Sequence, residues 1–97
     1  MDIRVQSVKF DADVKLLEFV NKKVGKLEKF YDEIIRTEVT MTLLPDAANK
    51  DVKIRLCMPG KDLFIEKNAS TFEDAIVDCV DVLKEQLVKI KEKKMGK

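Results

Sequence analysis

The sequence predicts an α+β domain with the element order βαβββα, in which a four-stranded mixed sheet carries two helices on one face. Three observations predict it. Four segments alternate apolar and polar residues with a period of two, two longer segments repeat apolar residues at helical spacing, and one helical segment separates the first strand from the second.

From Asp2 to Ser7, Ile3 and Val5 alternate with Arg4 and Gln6 and mark a strand with one buried side. Asp13 is placed to cap the helix that follows, because a carboxylate there accepts from a free amide of the first turn. Leu17, Val20, Val24, Leu27 and Tyr31 then recur at helical spacing, so the first helix is expected from about Val14 to Lys29. Gly25 lies inside it at a cost of about 1 kcal/mol relative to Ala, which the apolar stripe outweighs. Val39, Met41 and Leu43 alternate with Glu38, Thr40 and Thr42 in strand two, which Pro45 and a polar loop to Lys50 bring to a stop. Val52, Ile54, Leu56 and Met58 alternate with Lys53, Arg55 and Cys57 in strand three. Pro59 and Gly60 supply the fixed φ and the positive φ of a type II turn into strand four. That strand is expected over Leu63 to Lys67, with its facing left open because Phe64 interrupts the alternation of Leu63 and Ile65. Ser70-Thr71-Phe72-Glu73 has the form of a capping box, and Phe72, Ile76, Cys79, Leu83, Leu87 and Ile90 mark one side of a second helix expected to fray near Lys93. A right-handed crossover through the first helix makes strands one and two parallel and leaves the other pairs antiparallel. The layout is like that of a double-stranded-RNA-binding domain.

A chain of 97 residues has room for a single domain over 1–97, and 45% apolar residues suffice for one modest core without disulfides or metal. Nineteen Lys and Arg against eighteen Asp and Glu give a net charge of +1, so only the placement of charge points to a partner. Cys57 and Cys79 are far apart with no CxxC between them and read as reduced thiols. No apolar segment follows Met1-Asp2-Ile3-Arg4, and no run nears the roughly 18 residues that cross a bilayer. A cytoplasmic protein without a membrane partner is expected.

The chain has no histidine, which closes the Ser/His and Cys/His nucleophile pairs and the His-containing zinc signatures. Neither a metal nor a cofactor is expected, and no catalytic residue is assigned. Cys79 falls on the apolar side of the second helix, while Cys57 alternates toward the open sheet face with nothing near it in sequence to activate it. Asp74, Asp78, Asp81 and Glu85 recur on the polar side of the second helix as a solvated ridge. Gly60-Lys61 lacks the rest of a Walker loop and carries no phosphate signal of that kind.

The cations are more informative. Lys15, Lys22, Lys26 and Lys29 fall in a narrow arc of the first helix, flanked by Lys23. Residues 84 to 97 hold six lysines against two glutamates, a local charge of +4 that includes Lys84, Lys89, Lys91, Lys93 and Lys94, with a short basic tail at about 91–97. Helices packed side by side would join these sets into one stripe suited to the closely spaced phosphates of RNA, read by backbone and shape because lysine is a point charge. Phe30 and Tyr31 are the one adjacent aromatic pair; Tyr31 is expected to pack in the core and Phe30 to make a partly exposed contact.

Several segments carry a likeness: Glu18-Phe19-Val20, Lys23, Lys26-Leu27-Glu28-Lys29-Phe30-Tyr31-Asp32, Ala75-Ile76, and Leu83-Lys84-Glu85-Gln86-Leu87 with Lys89-Ile90-Lys91. Together they resemble the short form of the ribosome hibernation promoting factor family, also called sigma-54 modulation proteins. The resemblance implies a non-enzymatic, stationary-phase protein that binds 16S rRNA of the small ribosomal subunit, in the channel used by mRNA and tRNA anticodon stems, and blocks translation by occupancy. It implies no DNA partner and a monomer when free. The family's basic positions carry over to Lys23, Lys26, Lys89, Lys91 and Lys93, and the charge pattern adds Lys22, Lys29 and Lys84. Where the family commonly has a basic residue in mid-helix two, this chain has Val82 and Glu85, and Glu73 stands where a tyrosine is frequent. The expected affinity therefore rests more on the first helix and the tail. With Lys97 as the last residue, the C-terminal domain of long-form members is expected to be absent. The alternative reading is a protein-interaction module that docks a regulator such as a sigma factor on the acidic ridge or the open sheet face. A small thiol- or carboxylate-dependent hydrolase ranks third.

Overall fold

A computed structural model describes residues 1–45 and 49–95. The centre of the loop expected between Pro45 and Lys50, the side chain of Lys94 and the last two residues of the expected basic tail lie outside the described residues. The chain runs β1 (Asp2–Val8), α1 (Val14–Gly25), a 3₁₀ turn (Lys26–Lys29), β2 (Arg36–Leu43), β3 (Lys50–Met58), β4 (Lys61–Ala69) and α2 (Phe72–Met95). The sheet order is β1-β2-β3-β4, with β1 and β2 parallel and the other pairs antiparallel, as expected of a crossover through the first helix.

Register aligns the inward residues across all four strands. Val5, Val39, Ile54 and Ile65 form one row and Ile3, Thr37, Leu56 and Leu63 the next. Val39, Ile54 and Leu56 are fully enclosed beneath Val20, Val24 and Leu27 of the first helical segment and Ile76, Cys79, Leu83 and Leu87 of α2. Both helices therefore cover one face, the one on which the apolar residues of the four strands are concentrated. On β4, Leu63 and Ile65 point inward and Phe64 outward, 54% exposed, which resolves the facing left open by the sequence. Gly60 at φ +73° makes the turn between β3 and β4 that Pro59-Gly60 predicts.

Three local expectations are corrected. The α-helical part of the first helix stops at Gly25, and Lys26–Lys29 continue as a 3₁₀ turn in which the Phe30 amide donates to the Leu27 carbonyl at 3.0 Å. Glycine's low helix propensity permits the change, and the tighter winding keeps Leu27 fully buried. Second, α1 buries Leu16, four residues before Val20, while Leu17 is only half-buried, so the apolar stripe is turned toward Lys23. Third, the cap of α2 is Thr71, one residue later than the Ser70 box implies: its hydroxyl accepts from the Asp74 amide at 3.1 Å and its carbonyl from Ala75 at 3.2 Å. Thr71→Ala is expected to lower stability by about 0.5–2 kcal/mol, measured by urea denaturation, with Ser70→Ala close to neutral. The expected cap of α1 is present, Asp13 Oδ1 accepting from the Leu16 amide at 2.8 Å.

One aromatic contact ties the β1–α1 connection to α2, and one polar contact joins β3 to β4. Phe10, in the β1–α1 connection, stacks on Phe72 at the start of α2 with ring centroids 4.5 Å apart. Asp51, nearly buried on the outer side of β3, accepts from Asn68 Nδ2 at 2.8 Å and so has the partner that a buried carboxylate needs.

Candidate nucleic-acid interface

The strand order sets the geometry of the cations. Both helices lie antiparallel to β1 and β4, hence parallel to each other, and the end of the first helical segment meets the middle of α2. Between them lies a groove of about 190 Å³ lined by Lys23, Lys26 and Phe30 on one side and Val77, Val80, Asp81 and Lys84 on the other. Lys84 Nζ sits over the Phe30 ring at 5.0 Å from its centroid, and Lys23 Nζ over Phe19 at 5.6 Å. Each ring attracts the ammonium through its quadrupole and fixes a side chain that would otherwise sample many rotamers. Phe30 is half-buried, as expected of a partly exposed contact, and its role here is to hold Lys84 in the groove. Tyr31 is also only half-buried, packed against the core with its hydroxyl donating to Glu33 at 3.2 Å.

Lys22 and Lys29 are exposed beside the groove. Lys26 and Lys29 stand at either end of the 3₁₀ turn, where residues three apart eclipse, so the two ammonium groups share a side. Lys91 lies two helical turns beyond Lys84 on the same side of α2. Lys89 and Lys93 do not join this row. They line a separate concavity of about 610 Å³ with Ile90, Glu92 and Lys61 of the β3–β4 hairpin. The single stripe expected of the two helices is thus divided by α2 itself, because residues five apart on a helix, such as Lys84 and Lys89, point about 140° apart and cannot both face one neighbour. Lys61 is the cation that sequence reasoning missed: it lies 28 residues before Lys89, and only strand pairing brings it near.

Lys23, Lys50 and Lys84 each sit over an aromatic ring, but no lysine takes part in an ion pair among the described residues. The ion pairs among the described residues join the N-terminal ammonium to Glu28, Arg4 to Asp2 and Arg36 to Glu38; none involves a lysine. Such ammonium groups keep mobile counterions, and release of those counterions drives binding to phosphate chains. The acids Asp74, Asp78, Asp81 and Glu85 are all exposed, and of these only Asp81 enters the groove.

Residues considered for chemistry are placed otherwise. Cys79 is fully buried, its thiol donating to the Val52 carbonyl at 3.7 Å, and burial pushes it up to about 12. Cys57 is half-exposed on the open sheet face, where Arg36 Nη2 donates to its sulfur at 3.7 Å. Iodoacetamide at pH 8 is expected to label Cys57 and leave Cys79 unmodified until urea unfolds the chain, a difference that mass spectrometry reads directly. Asp51 and Glu66 neighbour each other on the same face, and this contact, with burial, raises the Glu66 carboxyl above its usual range. Among the described residues no group of three or more His, Cys, Asp or Glu is placed to hold a metal ion, and no helix is long and apolar enough to cross a membrane.

Comparison with known proteins decides the family. The sequence pattern of the sigma 54 modulation protein / S30EA ribosomal protein family matches residues 3–95. The chain belongs to this family. Among its relatives, the ribosome hibernation promoting factor of Azotobacter vinelandii is 25% identical over 95 residues, covering 98% of this chain and 87% of that protein. The ribosome hibernation promotion factor of Deinococcus radiodurans is 32% identical over 82 residues, covering 80% of this chain; the match spans only 42% of that longer protein. The S30EA fold is the one described above. The N-terminal domain of Thermus thermophilus Protein Y superposes with a TM-score of 0.81 at 21% identity, covering 93% of this chain and 99% of that one. A ribosomal subunit interface protein from Coxiella burnetii gives a TM-score of 0.75 at 21% identity over the full length of both chains. The family resemblance and the βαβββα fold expected from the sequence both stand.

Proposed function

We propose that this S30EA-family chain is a non-enzymatic, cytoplasmic ribosome hibernation factor. It binds the small subunit through 16S rRNA, at the channel used by mRNA and tRNA anticodon stems, and suppresses translation in stationary phase by steric occlusion. It is a monomer when free. The observation that carries the proposal is the groove in which Lys23 and Lys26 of the first helical segment meet Lys84 of α2, with no lysine in an ion pair among the described residues. Unpaired lysines from two elements form an anchor for phosphates rather than a site for chemistry. The relatives named as hibernation factors support the assignment of the partner.

Mechanistically, each ammonium that meets a phosphate releases the counterions condensed there, so affinity derives mainly from electrostatics and falls with salt. Lysine supplies no planar fork for base edges, which fits binding to backbone and shape. Co-sedimentation of the purified chain with ribosomes tests this. Binding is expected to fall by on the order of tenfold to a thousandfold between 50 and 200 mM salt, the range for about three to six neutralised phosphates. Association that is constant over that interval, or that survives RNase digestion of the ribosomes, would refute the proposal.

A further inference from the structure

β4 is an edge strand, paired with β3 on one side and last in the sheet on the other. The β3–β4 turn closes on Met58 and Lys61, and antiparallel hydrogen bonding alternates from there, so the amides and carbonyls of Asp62, Phe64, Glu66 and Asn68 point to the free edge. The Cys57 carbonyl agrees with this count: it accepts from the Ile35 amide at 2.8 Å and so turns toward the start of β2, away from its partner Asp62. The side chains of β4 divide by charge. Asp62, Phe64, Glu66 and Asn68 are exposed on the open face, whereas Lys61 and Lys67 share the helix side with Leu63 and Ile65, which are only half-buried. Neither Asp62 nor Glu66 is in an ion pair among the described residues, while at the opposite edge of the sheet Asp2 already pairs with Arg4. The open side of the β4 edge thus reads acid, aromatic, acid at a period of two.

We infer that the free edge of β4 is a docking site for an extended protein segment in which two basic residues bracket three apolar ones. A strand added there places its basic side chains opposite Asp62 and Glu66 and its central apolar residue opposite Phe64. Its other two apolar residues lie beside Leu63 and Ile65 and complete their burial. Lys53 and Arg55 flank this row from β3 and leave the edge itself acidic. Charge decides against two other occupants. A phosphate chain is repelled by both carboxylates. A second copy of β4, paired about Phe64, would set Asp62 against Glu66 and Lys61 against Lys67, each twice, and like charges directly opposite one another destabilise a strand pair. α2 packs over β3 and β4 and stands between this edge and the lysine groove, so the two sites can be filled together.

The test uses the full chain and two fluorescein-labelled peptides, Gly-Lys-Val-Leu-Val-Lys-Gly and its acidic counterpart Gly-Glu-Val-Leu-Val-Glu-Gly, with fluorescence anisotropy and amide exchange as readouts. The basic peptide is expected to bind about tenfold more tightly than the acidic one, and Asp62→Lys/Glu66→Lys to reverse that preference, an outcome that loss of stability cannot imitate. In the wild-type complex the amides of Asp62, Phe64 and Glu66 should exchange about tenfold more slowly than in the free chain. Binding of the basic peptide weaker than about 1 mM would overturn the inference. So would equal binding of the two peptides, a preference that charge reversal leaves unchanged, or protection confined to residues outside β4. Protection of the same three amides by single-stranded poly(A) would give the edge to RNA and overturn it as well.

Discussion

Replacing Lys23 and Lys26 together by Glu is expected to abolish ribosome association while leaving the fold nearly as stable as before. At 0.1 M salt each neutralised phosphate contributes roughly 0.7–0.9 of a decade in affinity through counterion release, so loss of two contacts costs about twenty-five- to sixtyfold. Reversal of sign adds repulsion from the same phosphates and should carry the loss beyond detection in a sedimentation assay. The effect on folding is limited by what these side chains touch. Lys26 is exposed, and Lys23 gives up its position over the Phe19 ring, a contact of about 0.5–1 kcal/mol. For a domain of this size that corresponds to a melting point lower by no more than about 4–8 °C. Circular dichroism melting beside co-sedimentation separates the two effects: a variant that unfolds early and fails to bind would point to a structural role for these lysines.

The second large effect runs the other way. Leu27→Ala should reduce stability by about 2–5 kcal/mol, because Leu27 is fully buried and its removal leaves a cavity under the 3₁₀ turn. Against a total stability of about 5–15 kcal/mol this is a major fraction, and the melting point should fall by at least about 10 °C. Urea denaturation read by circular dichroism measures it. Ribosome binding should suffer as well, since Leu27 seats the turn that carries Lys26 and Lys29. The two variants are therefore opposites in mechanism: one removes charge from an intact scaffold and the other loosens the scaffold beneath intact charge.

The alternation of Val39, Met41 and Leu43 and of Val52, Ile54, Leu56 and Met58 gave the two central strands, because those strands are apolar on one side only and the period of two is then unambiguous. The second helix was legible for the same reason, with Ile76, Cys79, Leu83 and Leu87 all fully buried. Errors fell where adjacent residues compete for one place. Leu16 and Leu17 both satisfy an apolar stripe, and the packing of α1 on the sheet chose Leu16. Ser70 and Thr71 both offer a capping hydroxyl, and the choice of Thr71 followed from where β4 ends, at Ala69.

Composition and periodicity, acting between near neighbours, were enough to determine the element order, the faces of the central strands and the enrichment of lysine in two stretches of the chain. They could not determine which lysines meet. Lys23 and Lys84 are 61 residues apart, and their shared groove depends on two helices running parallel across one sheet; Lys61 reaches Lys89 and Lys93 through the pairing of β3 with β4. Helical repetition distributes the cations of α2 around its axis, and only the neighbours packed on either side decide which of them stand together.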